Sequence, residues 1–181
     1  ATSNNFILFV LGLETLSMVS YVLAGFIKHD RISAEASLKY MLYGAMASGV
    51  MLFGISYLYG LSGTLDIALS ISTVTVRLAN GHDVLPIMLA AVLVLAGVGF
   101  KMAMVPFHFW CPDVYEGAPT PVTAFLSVVS KAAGFSALLR LVMPIQFGKM
   151  LLSSIEPNSV VLLPIMFGVL SVVTMTFGSL V

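Results

Sequence analysis

The chain is 181 residues long, 59% of them hydrophobic and only 9% charged, with eight basic and eight acidic side chains and a mean hydropathy of +1.06. A soluble domain has about a quarter of its residues charged, so this composition excludes one. Zero net charge leaves no basic stripe to neutralise phosphates, which excludes a nucleic-acid footprint, and the lone cysteine, Cys111, builds neither an intrachain disulfide nor a zinc site by itself.

Five apolar stretches approach the ~20 residues that cross a hydrocarbon core. We therefore expect an all-α integral membrane fold of about five transmembrane helices, one of them broken, in a single membrane domain over residues 1–181. The opening residues, ATSNN, lead into the first span without the basic n-region of a signal peptide and without an initiator Met. At the other end the last span stops in apolar sequence at Val181. Both ends read as cut, a fragment or a split subunit.

The first span covers residues 6–26 and has Glu14 as its only charge; the turn Lys28-His29-Asp30-Arg31 closes it. The second, 37–59, is rich in Gly, Ala and Ser, residues that let helices approach closely in lipid. Lys39 lies at its start, where a long side chain can snorkel to the interface. Residues 62–83 read as a loop with a short amphipathic element. The third span, 84–105, carries Lys101 and is expected to break near 101–106, because Pro106 removes one backbone hydrogen bond and frees the carbonyl of Met102. The fourth, 121–143, follows Pro119-Thr120-Pro121 and holds Lys131, and the fifth, 159–181, contains Pro164. Lys28 and Arg31 favour a cytoplasmic or matrix location for the first turn.

Three buried charges carry the chemistry. An ionised group at bilayer depth costs roughly 2.5–3.5 kcal/mol on insertion scales, and such residues mark ion and proton pathways. Lys101 stands beside a helix break, and irregular backbone at membrane depth survives only where protein buries it or a wet cavity lines it. Burial weakens an ammonium's hold on its proton and a nearby carboxylate strengthens it, so a shifting partner makes such a site a proton-loading point. Lys131 has Ser127 at i,i+4 before it and Ser130 adjacent, a small polar patch that supports a water chain or back-bonds to its own helix. Glu14 is the natural counter-charge for a lysine, although the residues alone leave open which one. His108, two residues after Pro106, is a possible shuttle toward the break or a plain hydrogen-bonding residue. No metal-ligand spacing and no nucleotide fingerprint is present, since Gly97 and Gly99 lie inside a span with no strand before them.

The segment GFKMAMVPFHFWCPDVYEGAPTPVTAFLSVVSKAAGF resembles the central signature of the antiporter-like membrane subunits of respiratory complex I, of the type of NADH-quinone oxidoreductase subunit N and NADH dehydrogenase subunit 2. PDVYEGAPTPV and the lysine in FLSVVSKAAG are the discriminating pieces, and GLETLSMVSYVLAGF and EASLKYMLYGAMASGVMLFG fit the same type. The resemblance implies two inverted five-helix repeats, each with a broken helix, of which this chain holds most of the first. It implies that Glu14 pairs with Lys101 and that Lys131 is the relay lysine; Lys39, His108, Ser127 and Ser130 are auxiliary candidates on their positions alone. It further implies proton translocation coupled to quinone reduction elsewhere, with NADH, FMN, iron–sulfur clusters and quinone on partner subunits. The expected partners are other antiporter-like subunits, small membrane subunits and lipid. The expected location is a bacterial plasma membrane or the mitochondrial inner membrane, ahead of a plastid thylakoid. A stand-alone cation/proton antiporter and a structural scaffold of the membrane arm are the competing expectations.

Overall fold

In the computed structural model the described residues are 3–27, 29–151, 165 and 167–176. Among them the chain is all-helical: α1 (Phe6–Ala24), α2 (Arg31–Ser62), α3 (Ile67–Ala79), α4 (Val84–Met102), α5 (Trp110–Gly117), α6 (Thr120–Phe125), a π-helical turn (Leu126–Ser130) and α7 (Lys131–Leu151). Four stretches are long and apolar enough to cross a membrane, namely Phe6–Ala24, Arg31–Ser62, Val84–Met102 and Thr120–Ile145. The last is assembled from α6, the π turn and the first part of α7. The expected count was about five. Most of the fifth stretch, 159–181, lies outside the described residues, and its described part is a shorter apolar helix, Phe167–Thr176.

Local chemistry sets the helix starts. Asn5, Asp30 and Asp66 precede α1, α2 and α3, and their side chains accept the Ile7, Ile32 and Leu69 N–H groups at 2.8, 3.0 and 2.9 Å. Each cap satisfies a donor that has no partner inside its helix. The starts of α1 and α3 are also tied together: the Phe6 N–H donates to the Leu65 carbonyl at 2.9 Å, and the Ile67 N–H donates to the Asn4 carbonyl at 2.8 Å. Residues 62–83, expected as a loop with a short amphipathic element, contain the 13-residue α3, which buries Ile67, Ser70, Ile71 and Val74. Helix α2 has 32 residues and is therefore about 48 Å long, well beyond a ~30 Å hydrocarbon core.

Small residues bring α2 and α4 together. A Cβ on Gly97 would stand 2.4 Å from Met51 Cβ, and one on Gly54 would stand 2.8 Å from Leu93 Cβ. Two apolar clusters result. One gathers Phe6, Phe9 and Leu13 of α1 with Met51 and Ile55 of α2, Val94 and Val98 of α4, and Ala137 and Leu141 of α7. The other gathers Tyr21 and Ala24, Tyr40, Phe100, Trp110 and Val114, and Leu126. Along α1 the first cluster ends at Leu13 and the second begins at Tyr21. Between them lie Glu14, Ser17 and Ser20, and at matching positions on the other helices lie Ser48, Lys101, Ser130 and Lys131. A polar layer thus separates the two apolar halves.

Candidate functional site

Helix α4 stops one residue after Lys101. Ala103 takes the left-handed conformation (φ 53°), and its N–H and that of Met104 donate to the Phe100 and Gly99 carbonyls at 3.1 and 2.9 Å. The stop falls where Pro106 disfavours continuation, because its ring would meet the carbonyl of Met102 and it has no N–H to donate. The chain then turns and restarts as α5 at Trp110. Two side chains bond the backbone of this break: Trp110 Nε1 donates to the Phe100 carbonyl at 3.2 Å, and the Val105 N–H donates to Thr174 Oγ1 at 3.4 Å. Irregular backbone inside an apolar molecule is tolerated on these terms.

Lys101 is only 5% exposed. Its Nζ donates to Ser17 Oγ of α1, and it lies 5.7 Å from the Phe100 ring centroid and 6.0 Å from that of Tyr21. Aromatic faces at about 6 Å stabilise an ammonium, so hydroxyl and rings together replace part of its hydration. Gly134 of α7 lets the fourth span press on this residue, since a Cβ there would stand 3.2 Å from Lys101 Cβ.

Glu14, half-buried, accepts from Ser48 Oγ of α2. The expected direct ion pair between Glu14 and Lys101 is not what the structure contains. The ion pairs among the described residues are Lys39 with Glu35, Lys39 with Asp113, and Arg77 with Asp83. Glu14 and Ser17 are three residues apart on one face of α1, so the carboxylate stands one turn from the hydroxyl that holds the lysine.

Lys131 is half-buried at the start of α7; its Nζ is 3.6 Å from Cys111 Sγ and 5.5 Å from the Tyr115 ring centroid, both on α5. The serine patch expected before it divides. Ser130 is buried and lies beside the Tyr40 phenol, whereas Ser127 is exposed and donates to the Ala124 carbonyl at 2.9 Å. Lys39, 2.7 Å from Asp113, ties the exposed start of α2 to α5 and stands apart from the other two lysines' contacts. His108 is half-buried in the turn and stacks on Phe109 at 4.7 Å between centroids.

Sequence reasoning missed Ser17, Ser48, Tyr21, Tyr40, Cys111 and Tyr115. The spacing of Glu14, Ser17, Ser20 and Tyr21 in an otherwise apolar helix was the available signal, for it places four polar groups on one stripe.

The chain has counterparts among known proteins. The family model described as NADH:quinone oxidoreductase/Mrp antiporter, TM, matches residues 3–181. The chain belongs to this family. NADH-quinone oxidoreductase subunit N of Anaeromyxobacter sp. is 46% identical over 194 residues, which take in 99% of this chain and 36% of that protein. A chain of respiratory complex I from Thermus thermophilus, solved with bound aureothin, superimposes with a TM-score of 0.65 at 40% identity, covering 77% of this chain and 30% of its own length. A chain of the membrane-bound sulfane sulfur reductase, an archaeal respiratory membrane complex, gives a TM-score of 0.68 at 25% identity, covering 84% of this chain and 31% of its own. This member of the NADH:quinone oxidoreductase/Mrp antiporter family thus spans about a third of the length of the curated relatives it matches. Among its described residues no group of three or more His, Cys, Asp or Glu side chains is placed to hold a metal ion.

Proposed function

We propose that this chain is part of a proton-translocating subunit in the membrane arm of an NADH:quinone oxidoreductase, with Lys101 loading the proton, Glu14 controlling it and Lys131 receiving it. The observation that carries this reading is the enclosed Lys101 at the end of a broken helix, within one turn of a carboxylate held elsewhere by Ser48. A carboxylate that approaches an ammonium holds its proton, and one that withdraws lets it go. Glu14 has two stations in this scheme, Ser48 and Lys101, and movement between them loads and unloads the lysine. Quinone reduction elsewhere in the complex supplies the perturbation. Moving one charge against 100 mV takes about 2.3 kcal/mol, a scale that opening a buried ion pair matches.

No redox step falls on this chain. NADH, FMN, iron–sulfur clusters and quinone belong to partner subunits, and other antiporter-like and small membrane subunits are its neighbours in a bacterial plasma membrane. The experiment is Lys101→Ala and Glu14→Ala in the assembled complex, reading protons moved per NADH oxidised. We expect fewer protons per NADH; normal electron transfer with an unchanged ratio refutes the roles. The family also takes in Mrp antiporters. A stand-alone cation/proton antiporter would exchange ions without redox subunits, so their co-purification decides between the two.

A further inference from the structure

No contact joins Lys101 to Lys131, but a series of hydroxyl-bearing side chains lies beside them. From Lys101 the contacts run to Ser17, which accepts from its Nζ, and on to the Tyr21 phenol beside Ser17. The Tyr21 ring meets the Tyr40 ring edge-on at 4.7 Å. The Tyr40 phenol lies beside Ser20 and Ser130, and Ser130 is the residue before Lys131. Tyr21 and Tyr40 are 5% and 1% exposed.

Two details separate these phenols from ordinary aromatic packing. A Cβ on Gly44 of α2 would stand 1.9 Å from the Tyr21 hydroxyl oxygen, so the helix backbone is cleared for that oxygen. No described residue gives the same oxygen a hydrogen bond of good geometry. Burying a hydroxyl without a partner costs free energy that phenylalanine would avoid. The Tyr40 ring, in turn, is fixed by stacking on Trp110 at 4.6 Å and 12°, which aims its hydroxyl away from the break and toward the start of α7.

We propose that the Tyr21 and Tyr40 hydroxyls form the proton relay between Lys101 and Lys131. The inference rests on the lysine roles proposed above. A proton leaves Lys101 Nζ for the Ser17 oxygen while the Ser17 hydroxyl, which donates to the Leu13 carbonyl in this structure, turns its own proton to Tyr21. Tyr21 passes its proton to Tyr40, Tyr40 to the Cys111 sulfur, and the Cys111 thiol gives its own proton to the neutral amine of Lys131, 3.6 Å away. Each hydroxyl, like the thiol, gains one proton and loses one, so Lys101 ends as an amine, Lys131 ends as an ammonium, and nothing else changes charge.

The test compares Tyr21→Phe, Tyr40→Phe, the double variant and Lys101→Met in the assembled complex in membrane vesicles, reading NADH-driven proton uptake, its solvent deuterium isotope effect and the thermal midpoint. Each phenylalanine keeps its ring contacts, so midpoints should not fall below the parent's, and that of Tyr21→Phe should equal or exceed it. Uptake should fall about tenfold in either single variant, with a larger isotope effect, because proton hopping now limits the rate. Groups in series predict a double variant no slower than the slower single. If Lys101→Met stops uptake while the double variant pumps at the parental rate, the relay is overturned and the lysine role stands. If the phenylalanine variants pump slowly with the parental isotope effect, the relay is likewise overturned. If Lys101→Met pumps normally, the underlying reading fails, and the relay with it.

Discussion

Gly97→Ala places a methyl group where α4 presses on α2. Built on the existing backbone, that carbon lies 2.4 Å from Met51 Cβ, 2.9 Å from Met51 Cγ and 3.1 Å from the Ala47 carbonyl oxygen. Carbon atoms rest about 3.5–4.0 Å apart, so α4 has to retreat from α2 by roughly 1 Å at this level. Overpacking of that kind costs about 1–3 kcal/mol. Alanine's better helix propensity offsets ~1 kcal/mol of it, leaving a net loss of about 0–2 kcal/mol. The complex should assemble. Lys101 lies one turn further along α4, however, and reaches across to a single hydroxyl on α1. Misplacing a reacting group by ~1 Å can slow a step on the order of 100-fold. The assay is NADH-driven proton uptake together with the thermal midpoint of the purified complex. Gly49→Ala is the control, since a Cβ at Gly49 meets nothing within 4 Å. We expect Gly97→Ala to lower both readings, and Gly49→Ala to leave uptake unchanged with a midpoint equal to or above the parent's. Equal behaviour of the two variants would refute the close helix approach. A lowered midpoint with undiminished uptake would refute the link between this packing and Lys101.

Trp110→Phe removes the Nε1 bond to the Phe100 carbonyl at the break while keeping a ring against Tyr40, and should lower stability by about 1–3 kcal/mol in denaturant titrations of the complex. Lys39→Met removes two exposed ion pairs, with Glu35 and Asp113. Exposed pairs contribute little, so its midpoint and proton uptake should match the parent. A pumping defect in Lys39→Met would show that this lysine belongs to the path.

The apolar runs, the charges inside them and the proline stop at the end of α4 were legible in sequence because each is a local property. Hydropathy fixes which segments pack as helices, and Pro106 weakens the turn before it by a clash and a missing N–H, both readable from sequence. Partner choice was less legible. The counter-charge argument left open which lysine Glu14 meets, and only the family resemblance implied Lys101, because contact depends on how α1, α2 and α4 are rotated about their axes. That rotation places Ser48 against the carboxylate and Ser17 against the lysine. Ser127 and Ser130 show the same limit: a periodicity of 3.6 puts Ser127 one turn before Lys131, and the π turn between them cannot be read from composition. The bond from Lys39 to Asp113 spans 74 residues, and no local pattern announces it. The amphipathic element in residues 62–83 was legible as such, and its extent as α3 was set by the cap at Asp66 and by docking on the start of α1.

The division of the interior into two apolar clusters bears on leakage. An ion travelling along the helix axes from the polar layer to either end of the molecule would have to cross close-packed side chains such as Phe9, Met51 and Val94 on one side, or Tyr40, Phe100 and Trp110 on the other. The effective penalty for an uncompensated charge in such a medium is several kcal/mol. Crosswise, from helix to helix, Glu14, Ser17, Ser48, Lys101 and Ser130 present a carboxylate, hydroxyls and an amine instead. The fold is thus insulated endwise and polar sideways, like a cable core between two sheaths. A single polar substitution in either cluster, Val94→Asp for example, would be expected to short-circuit the membrane before it impaired the relay.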